Sequence, residues 1–157
     1  LITALIINRQ NLPPPKNLIT TESASAAGMN LPLVVYLEDD ELDVVLLRET
    51  LVAEGLAVEL VQVSTPWNFS AALKSSVPAM ILFDGKVGGF GGVAALHMAR
   101  ACCPGVPAFC LTGQVTDGKT AELRDAGAAG CLSKQDLAEV SGTIRRTLEN
   151  LRYEMSP

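Results

Sequence analysis

The sequence lacks several features that define large classes of proteins. No run of apolar residues approaches the roughly 18 that a membrane-spanning helix requires, which argues against a membrane protein. Positive charge is scarce, with 12 basic residues against 17 acidic ones, and a net charge of −5 argues against a groove that follows nucleic-acid phosphates. Disorder of the whole chain is excluded by what is present, because 48% of the 157 residues are hydrophobic and can fill one core.

The cysteines and the single histidine do not have the spacing of a metal centre. The four cysteines are Cys102, Cys103, Cys110 and Cys131, and their irregular gaps match neither a zinc site nor a set of paired disulfides. We therefore predict reduced thiols in the core. His97 is the only histidine, and its place inside a predicted helix favours a structural role.

The first residues of the chain do not form a recognisable secretory signal. Residues 1–7 are apolar, but no basic region precedes them and prolines follow at 13–15, so we expect a cytoplasmic protein. Residues 1–28 show no strong periodicity and predict a flexible N-terminal tail. The predicted domain spans 29–153, and 154–157 form a short C-terminal tail.

From residue 31 onward, short apolar runs alternate with helical stretches. Each run has the length of a buried strand, and this alternation is typical of a parallel sheet covered by helices on both faces. We therefore predict an α/β fold with a doubly wound, five-stranded parallel sheet. Its strands are expected at 33–37, 58–63, 79–83, 106–111 and 129–132.

Polar side chains close four of these five runs. Ligands of an open parallel sheet bind at the carboxyl ends of its strands, so the residues at those ends are candidates for chemistry. They would bring carboxylates, a hydroxyl and an ammonium into one cleft. These residues are Glu38, Asp39 and Asp40 after the first run, Asp84 after the third, Thr112 after the fourth and Lys134 after the fifth.

Such a cleft would contain strong repulsion. If the first and third strands are neighbours, each pair of carboxylates about 4 Å apart costs roughly 4 kcal/mol at an effective dielectric near 20. Either Lys134 or a bound cation must offset this cost, and carboxylate oxygens suit Mg²⁺ better than a soft metal. Without metal, at least one carboxyl group should have a raised pKa.

Ordinary structural roles are the alternative for each residue taken singly. The three acids of 38–40 could cap the first helix, where negative charge is favourable. Asp84 could be a turn residue, Thr112 a turn hydroxyl and Lys134 a solvated surface charge. All of these roles would have to coincide at one edge of one sheet, which favours the shared cleft.

Four segments resemble, in order, the motifs of response regulator receiver domains, the CheY-like domains of two-component systems. They are Val-Tyr-Leu-Glu-Asp-Asp at 35–40, Ile-Leu-Phe-Asp at 81–84, Leu-Thr-Gly at 111–113 and Ala-Gly-Ala-Ala-Gly-Cys-Leu-Ser-Lys at 126–134. The resemblance covers residue 31 to about residue 152. It implies a flavodoxin-like (βα)5 fold with strand order 2-1-3-4-5.

The resemblance also implies a magnesium site. By position, Asp39 and Asp84 would bind Mg²⁺ together with the backbone carbonyl of Lys86, and Glu38 would act mainly through a water. Asp84 would be the residue that accepts a phosphoryl group. Thr112 would donate its hydroxyl to a phosphoryl oxygen, and the lysine of the fifth strand, Lys134, would pair with the carboxylate and then with its phosphorylated form.

A receiver domain implies particular partners. The phosphoryl donor would be a sensor histidine kinase or a phosphotransfer protein, and the signal would pass to a downstream protein, with a homodimer possible. Such a domain catalyses only its own phosphorylation and dephosphorylation. No DNA-binding or enzymatic segment follows residue 152, so we expect either a stand-alone receiver or a fragment of a larger protein. The family's usual contact surface would lie near Lys119, Arg124, Arg145 and Arg146.

Two departures from the family pattern leave an alternative open. Gly88 replaces a usual proline in a glycine-rich loop that we expect to be mobile, and Cys131 replaces the usual aromatic switch residue. A phosphorylation-independent docking module is therefore the alternative function. A haloacid-dehalogenase-like phosphatase is disfavoured because Lys86 replaces its second aspartate. A nucleotide-binding domain is disfavoured by the acids after the first strand.

Overall fold

The computed structural model describes residues 30–156, which form a main sheet with helices on both faces. The chain alternates strands with helices, apart from one short hairpin after the third strand. The elements are β1 (Leu33–Leu37), α1 (Glu41–Ala53), β2 (Glu59–Val63), α2 (Pro66–Ser75), β3 (Met80–Asp84), β4 (Lys86–Val87), β5 (Phe90–Gly91), α3 (Gly92–Cys102), β6 (Ala108–Thr112), α4 (Asp117–Asp125), β7 (Gly130–Ser133) and α5 (Leu137–Glu154).

The main sheet has the order β2-β1-β3-β6-β7, and every neighbouring pair of strands is parallel. This confirms the predicted five-stranded topology, with the hairpin strands β4 and β5 standing apart from the main sheet. The register aligns the carboxyl ends, since Leu37 pairs with Phe83, Asp84 with Leu111 and Thr112 with Ser133. The sheet therefore presents the ends of its strands along a single rim.

Successive residues of each strand point to opposite faces of the sheet, and both faces are buried. Val35 and Ile81 pack into a core with α2 and α3, whereas Tyr36 and Leu82 pack into a second core with α1 and α5. Fully burying each of these apolar side chains stabilises the fold by about 1.5–3 kcal/mol. The continuous apolar runs of the sequence follow from this burial on both sides.

Several strands end one residue later than predicted. Asp84 is the last residue of β3 and Thr112 the last of β6, although their apolar runs stop one residue earlier. Backbone pairing continues past the apolar run, because hydrogen bonding between strands does not depend on the polarity of the side chains. The chemically important residues are therefore held by the sheet itself.

The glycine-rich segment after β3 forms a regular hairpin. Lys86 pairs with Gly91 and Val87 with Phe90 in a two-residue antiparallel ladder, and Val87 is buried. Gly88 has a φ of +58° in the connecting turn, a conformation that glycine adopts without steric cost. The predicted mobility of this loop remains a prediction.

The predicted tail at 1–28 lies outside the described residues, and α5 ends at Glu154, close to the predicted domain boundary. Within residues 30–156, none of the helices combines the length and the apolar character that crossing a bilayer requires.

Candidate functional site

Glu38 follows β1 directly and is held on every side. Its backbone N–H donates to the Val63 carbonyl at 2.9 Å, and Gln62 Nε2 donates to its carbonyl at 3.0 Å. Its side chain is fully buried, with the Tyr36 hydroxyl donating to Oε2 at 3.2 Å and the Asp40 backbone N–H donating to Oε1 at 3.0 Å. These hydrogen bonds fix both the backbone and the side chain of Glu38 in the site.

Asp39 and Asp40 have different roles. Asp40 is the N-cap of α1, and its Oδ1 accepts a hydrogen bond from the Leu42 backbone N–H at 2.9 Å. The helix-cap interpretation of the acidic run is therefore correct for Asp40 alone. Asp39 is exposed and contributes its carboxylate to the rim.

Lys134 joins both sides of the rim through its side chain. Its backbone N–H donates to the Thr112 carbonyl at 2.9 Å, which fixes the turn after β7. Its Nζ lies 2.5 Å from Glu38 Oε2, 2.9 Å from Asp43 Oδ2 and 3.4 Å from Asp84 Oδ1. A single ammonium thus contacts three carboxylates.

Asp43 is the residue that the sequence analysis missed. It lies in the first turn of α1, where the ordinary expectation is a solvated acid that favours the positive end of the helix dipole. Its contact with Lys134 depends on the angle at which α1 leaves the sheet. The only signal in the sequence was its place as the fifth acidic residue within 38–43.

Glu38, Asp39 and Asp84 offer carboxylate oxygens that all lie within 4.8 Å of one another. Two oxygens on opposite sides of one Mg²⁺ ion are about 4.2 Å apart, so a small movement of the exposed Asp39 would close the cluster around such an ion. Glu38 already accepts hydrogen bonds at both oxygens, which suits a contact through water. The hard oxygen donors of this set fit Mg²⁺.

The charges of the site do not balance without a cation. The four carboxylates of Glu38, Asp39, Asp43 and Asp84 against the single ammonium of Lys134 leave a formal charge of −3 when all are ionised. A divalent ion would reduce this charge to −1. The arrangement therefore favours cation binding on electrostatic grounds as well as on geometry.

The pKa values of the site show the same imbalance. Burial raises the pKa of Glu38, and the nearby Asp84 charge adds to the effect, although hydrogen bonds from Lys134 and from the Asp40 backbone oppose it. Burial lowers the pKa of Lys134, but its hydrogen bonds to Glu38 and Asp43 outweigh burial and raise it overall. The expected carboxyl with a raised pKa is thus Glu38, while Lys134 remains charged.

Thr112 and Lys86 lie at the rim without joining the cluster of carboxylates. The Thr112 hydroxyl donates to the Gln114 carbonyl and accepts from the Gln114 backbone N–H, both at 3.3 Å. This is the turn-hydroxyl arrangement considered as the alternative for Thr112. Lys86 is exposed at the start of β4, two residues after Asp84.

A surface cleft of about 480 Å³ opens beside Asp39. Residues 64–66 and residues 87–90 line it together with Asp39. Asp84 itself is only partly exposed, with 16% of its side chain accessible. Of the clustered carboxylates, Asp39 lines this cleft.

The cysteines are free thiols, as the sequence predicts, and His97 lies in the predicted helix. All four cysteines are free thiols that are buried or partly buried, and Cys110 pairs in register with Cys131. Burial, together with the neighbouring Cys131, raises the pKa of Cys110 to about 12. His97 lies in α3 with its side chain exposed, away from the rim.

No family model matches this chain, and no curated protein does. Many solved structures share its fold. A signal receiver domain of a repressor protein from Vibrio parahaemolyticus has 18% identity and a TM-score of 0.71 over 80% of this chain and 95% of that one. A CheY-like receiver domain from Methanospirillum hungatei has 22% identity and a TM-score of 0.68 over 80% and 99%.

A third similar structure was solved with a metal. The receiver domain of a sensor histidine kinase from Pseudomonas aeruginosa, with a magnesium ion coordinated in its active site cleft, has 20% identity and a TM-score of 0.66 over 76% of this chain and 99% of that one. The chain therefore has the CheY-like receiver fold that its sequence predicts.

Proposed function

We propose that this chain is a receiver domain that accepts a phosphoryl group onto Asp84 with the help of Mg²⁺. The donor would be a sensor histidine kinase or a phosphotransfer protein in the cytoplasm. The observation that carries the proposal is the cluster of Glu38, Asp39 and Asp84 oxygens within 4.8 Å, with Lys134 Nζ 3.4 Å from Asp84.

In this reaction an Asp84 oxygen attacks phosphorus, the bond from phosphorus to the donor nitrogen or oxygen breaks, and the donor leaves with the electron pair. Two anions must approach each other, so the site has to neutralise charge and align the groups more than it has to move protons. Lys134 would stay paired with the phosphorylated side chain, and the Thr112 hydroxyl would leave Gln114 to donate to a phosphoryl oxygen.

Mg²⁺ would be held by Asp39, Asp84 and the Lys86 carbonyl, with Glu38 acting through water, and it would supply charge neutralisation at the phosphoryl oxygens. Glu38 is suited to an indirect role because its hydrogen bonds hold it in place. Asp39 is suited to direct binding because its exposed carboxylate can turn toward the ion.

An exposed apolar surface on α1 supports contact with a protein partner. Leu42, Val45 and Leu46 keep 63%, 40% and 42% of their surface accessible on the helix that follows the acidic residues. Large side chains exposed together on one helix are typical of a protein contact. A donor bound there would lie close to Asp84, and a downstream protein or a second copy of the chain could use the same surface.

Incubation with acetyl phosphate and Mg²⁺, followed by intact mass measurement, tests the proposal. We expect the wild-type chain to gain the mass of one phosphoryl group, and we expect this gain to disappear in Asp84→Asn and when the metal is chelated. Asp125→Asn, an exposed carboxylate at the end of α4, is the matched control and should be phosphorylated normally. A metal-dependent adduct that persists in Asp84→Asn would contradict the assignment.

The second candidate is a docking module that works without phosphorylation. It is favoured by the Thr112 hydroxyl, which is engaged with Gln114, and by Cys131, which cannot act as an aromatic switch. The same experiment separates the two functions, since a docking module would show no adduct at any Mg²⁺ concentration.

A further inference from the structure

A second lysine, Lys119, lies beside the residue that follows the proposed acceptor. A Cβ atom built on Gly85 would lie 3.7 Å from Lys119 Cε and 3.8 Å from Lys119 Nζ. These are ordinary van der Waals distances, so the end of the Lys119 side chain covers the space that a side chain at position 85 would need. Because Gly85 has no side chain, the end of Lys119 can occupy this space.

The backbone of Lys119 is fixed, whereas its side chain can rotate. Its N–H donates to Thr116 Oγ1 at 3.3 Å, which places Lys119 in the capped first turn of α4. Four rotatable bonds separate this fixed backbone from the ammonium. Rotation about these bonds can therefore move the ammonium, which lies beside the residue next to Asp84, without moving the helix.

Within the described part of the chain, no carboxylate neutralises the Lys119 ammonium through an ion pair. Among residues 30–156, Lys119 forms no ion pair, whereas Lys134 contacts three carboxylates. The buried Cys110 thiol lies 3.6 Å from the same Cβ position at Gly85. Burial is the main cause of its raised pKa, and among the smaller causes the Asp84 charge raises this pKa and the Lys119 charge lowers it. Asp84 and Lys119 therefore act on a common neighbour.

We propose, on the premise that Asp84 is phosphorylated, that Lys119 is a second cation that binds the phosphoryl group from the α4 side. Phosphorylation raises the negative charge at this point to between −1.5 and −2. Lys134 is already shared among Glu38, Asp43 and Asp84, so a free ammonium within a side-chain rotation is the available partner for the new charge. Binding by Lys119 would also couple the phosphoryl group to α4.

Beryllofluoride, which mimics a phosphoryl group on aspartate, is the probe for this role. We would titrate it into the full chain at saturating Mg²⁺ and follow binding by fluorine NMR. Lys119→Gln should weaken apparent binding about three- to tenfold, the range expected for one charge-assisted contact near the surface. Lys119→Arg should restore it, and Lys74→Gln, which removes an exposed lysine from α2, should leave it unchanged.

Gly85 provides an independent second variant. Its φ is not positive, so a larger residue is compatible with the backbone there. Gly85→Leu should displace the end of Lys119 and weaken beryllofluoride binding to a similar extent, with no further loss in the double variant with Lys119→Gln. Gly85→Ala should bind normally, because its Cβ fits beside the lysine. Additive losses in the double variant would contradict the pairing.

The outcomes distinguish this inference from the proposed function. Wild-type protein that binds beryllofluoride with Mg²⁺, together with Lys119→Gln that binds equally well, overturns the role of Lys119 alone. Wild-type protein that does not bind beryllofluoride overturns both proposals. Added salt should weaken wild-type binding more than Lys119→Gln binding, because the variant lacks the charge that salt screens.

Discussion

The two halves of the rim differ in how far their polar groups are already engaged. The acidic half consists of Glu38, Asp39, Asp43 and Asp84. Lys134 contacts three of these carboxylates, all but Asp39, at 2.5–3.4 Å. The neutral half, which consists of Thr112, Ser133 and Cys131, makes local contacts. The Thr112 hydroxyl bonds with Gln114, and the Ser133 hydroxyl accepts from the Gln135 backbone N–H at 3.1 Å.

The two halves therefore differ in their interaction energy. The acidic half carries repulsion that one lysine only partly offsets, so changes there should alter both stability and cation binding. The neutral half carries little interaction energy in the unmodified protein. Its hydroxyls can change hydrogen-bond partners at a small cost in free energy. This suits groups that contact a ligand only once it is bound.

The largest effect should come from removing the shared ammonium. Lys134→Met should lower the free energy of unfolding by about 3 kcal/mol in metal-free buffer, because the buried Glu38 loses its counter-ion. Urea unfolding measures this loss. Lys74→Met, an exposed lysine on α2, is the matched control and should change stability by less than about 0.5 kcal/mol.

Repeating the same unfolding experiment with Mg²⁺ gives a second test. Because the ion would bind the carboxylates that Lys134 leaves unpaired, it should restore part of the lost stability in Lys134→Met. A loss of stability similar to that of the Lys74 control would show that the carboxylates do not depend on the ammonium, and the contrast between the two halves would then fail.

Much of the fold could be predicted because both faces of the sheet are buried. Strands such as β1 and β3 therefore appear as continuous apolar runs, and their order followed from the family resemblance. The ends of β3 and β6, at Asp84 and Thr112, were predicted one residue too early, because backbone pairing continues one residue beyond the apolar run. The β4–β5 hairpin was missed because two-residue strands have no detectable periodicity.

The site could be predicted where it depends on the ends of strands. Glu38, Asp39, Asp84 and Lys134 meet because parallel strands align their carboxyl ends, a rule that the sequence alone can apply. Asp43 could not be placed in this way, because it reaches Lys134 from a helix whose entry angle is a tertiary feature. Contacts made from helices depend on packing geometry that no spacing of residues reveals.

A pH titration tests whether the acidic half is under repulsion. The folded-state pKa of Glu38 lies above its ordinary value of 4.5, so the folded protein binds this proton more tightly than the unfolded chain does. The contribution of Glu38 to stability is therefore full below pH 4.5 and is lost as pH rises through the raised pKa. In metal-free buffer, Glu38→Gln should remove this decline.

The measurement is the difference in unfolding free energy between wild type and Glu38→Gln across pH 4–8, since other carboxyl groups titrate in both proteins. Lys134 does not interfere, because its raised pKa places its own loss of stability at alkaline pH. A difference that stays constant with pH would mean that Glu38 is not under strain from burial and from Asp84.

The smallest effect on stability should come from the neutral half. Thr112→Ala removes a partly exposed hydroxyl whose bonds to Gln114 are local, so it should cost less than about 1 kcal/mol in urea unfolding. The same change should slow phosphorylation by acetyl phosphate about tenfold to hundredfold, because the hydroxyl would bind the phosphoryl oxygen only during and after transfer. Thr112→Ser keeps the donor and should retain most of the rate. The contrary result would be a Thr112→Ala variant that loses as much stability as Lys134→Met but is still phosphorylated rapidly. The Thr112 hydroxyl would then stabilise the fold rather than bind the phosphoryl group, and the proposed difference between the two halves of the rim would be wrong.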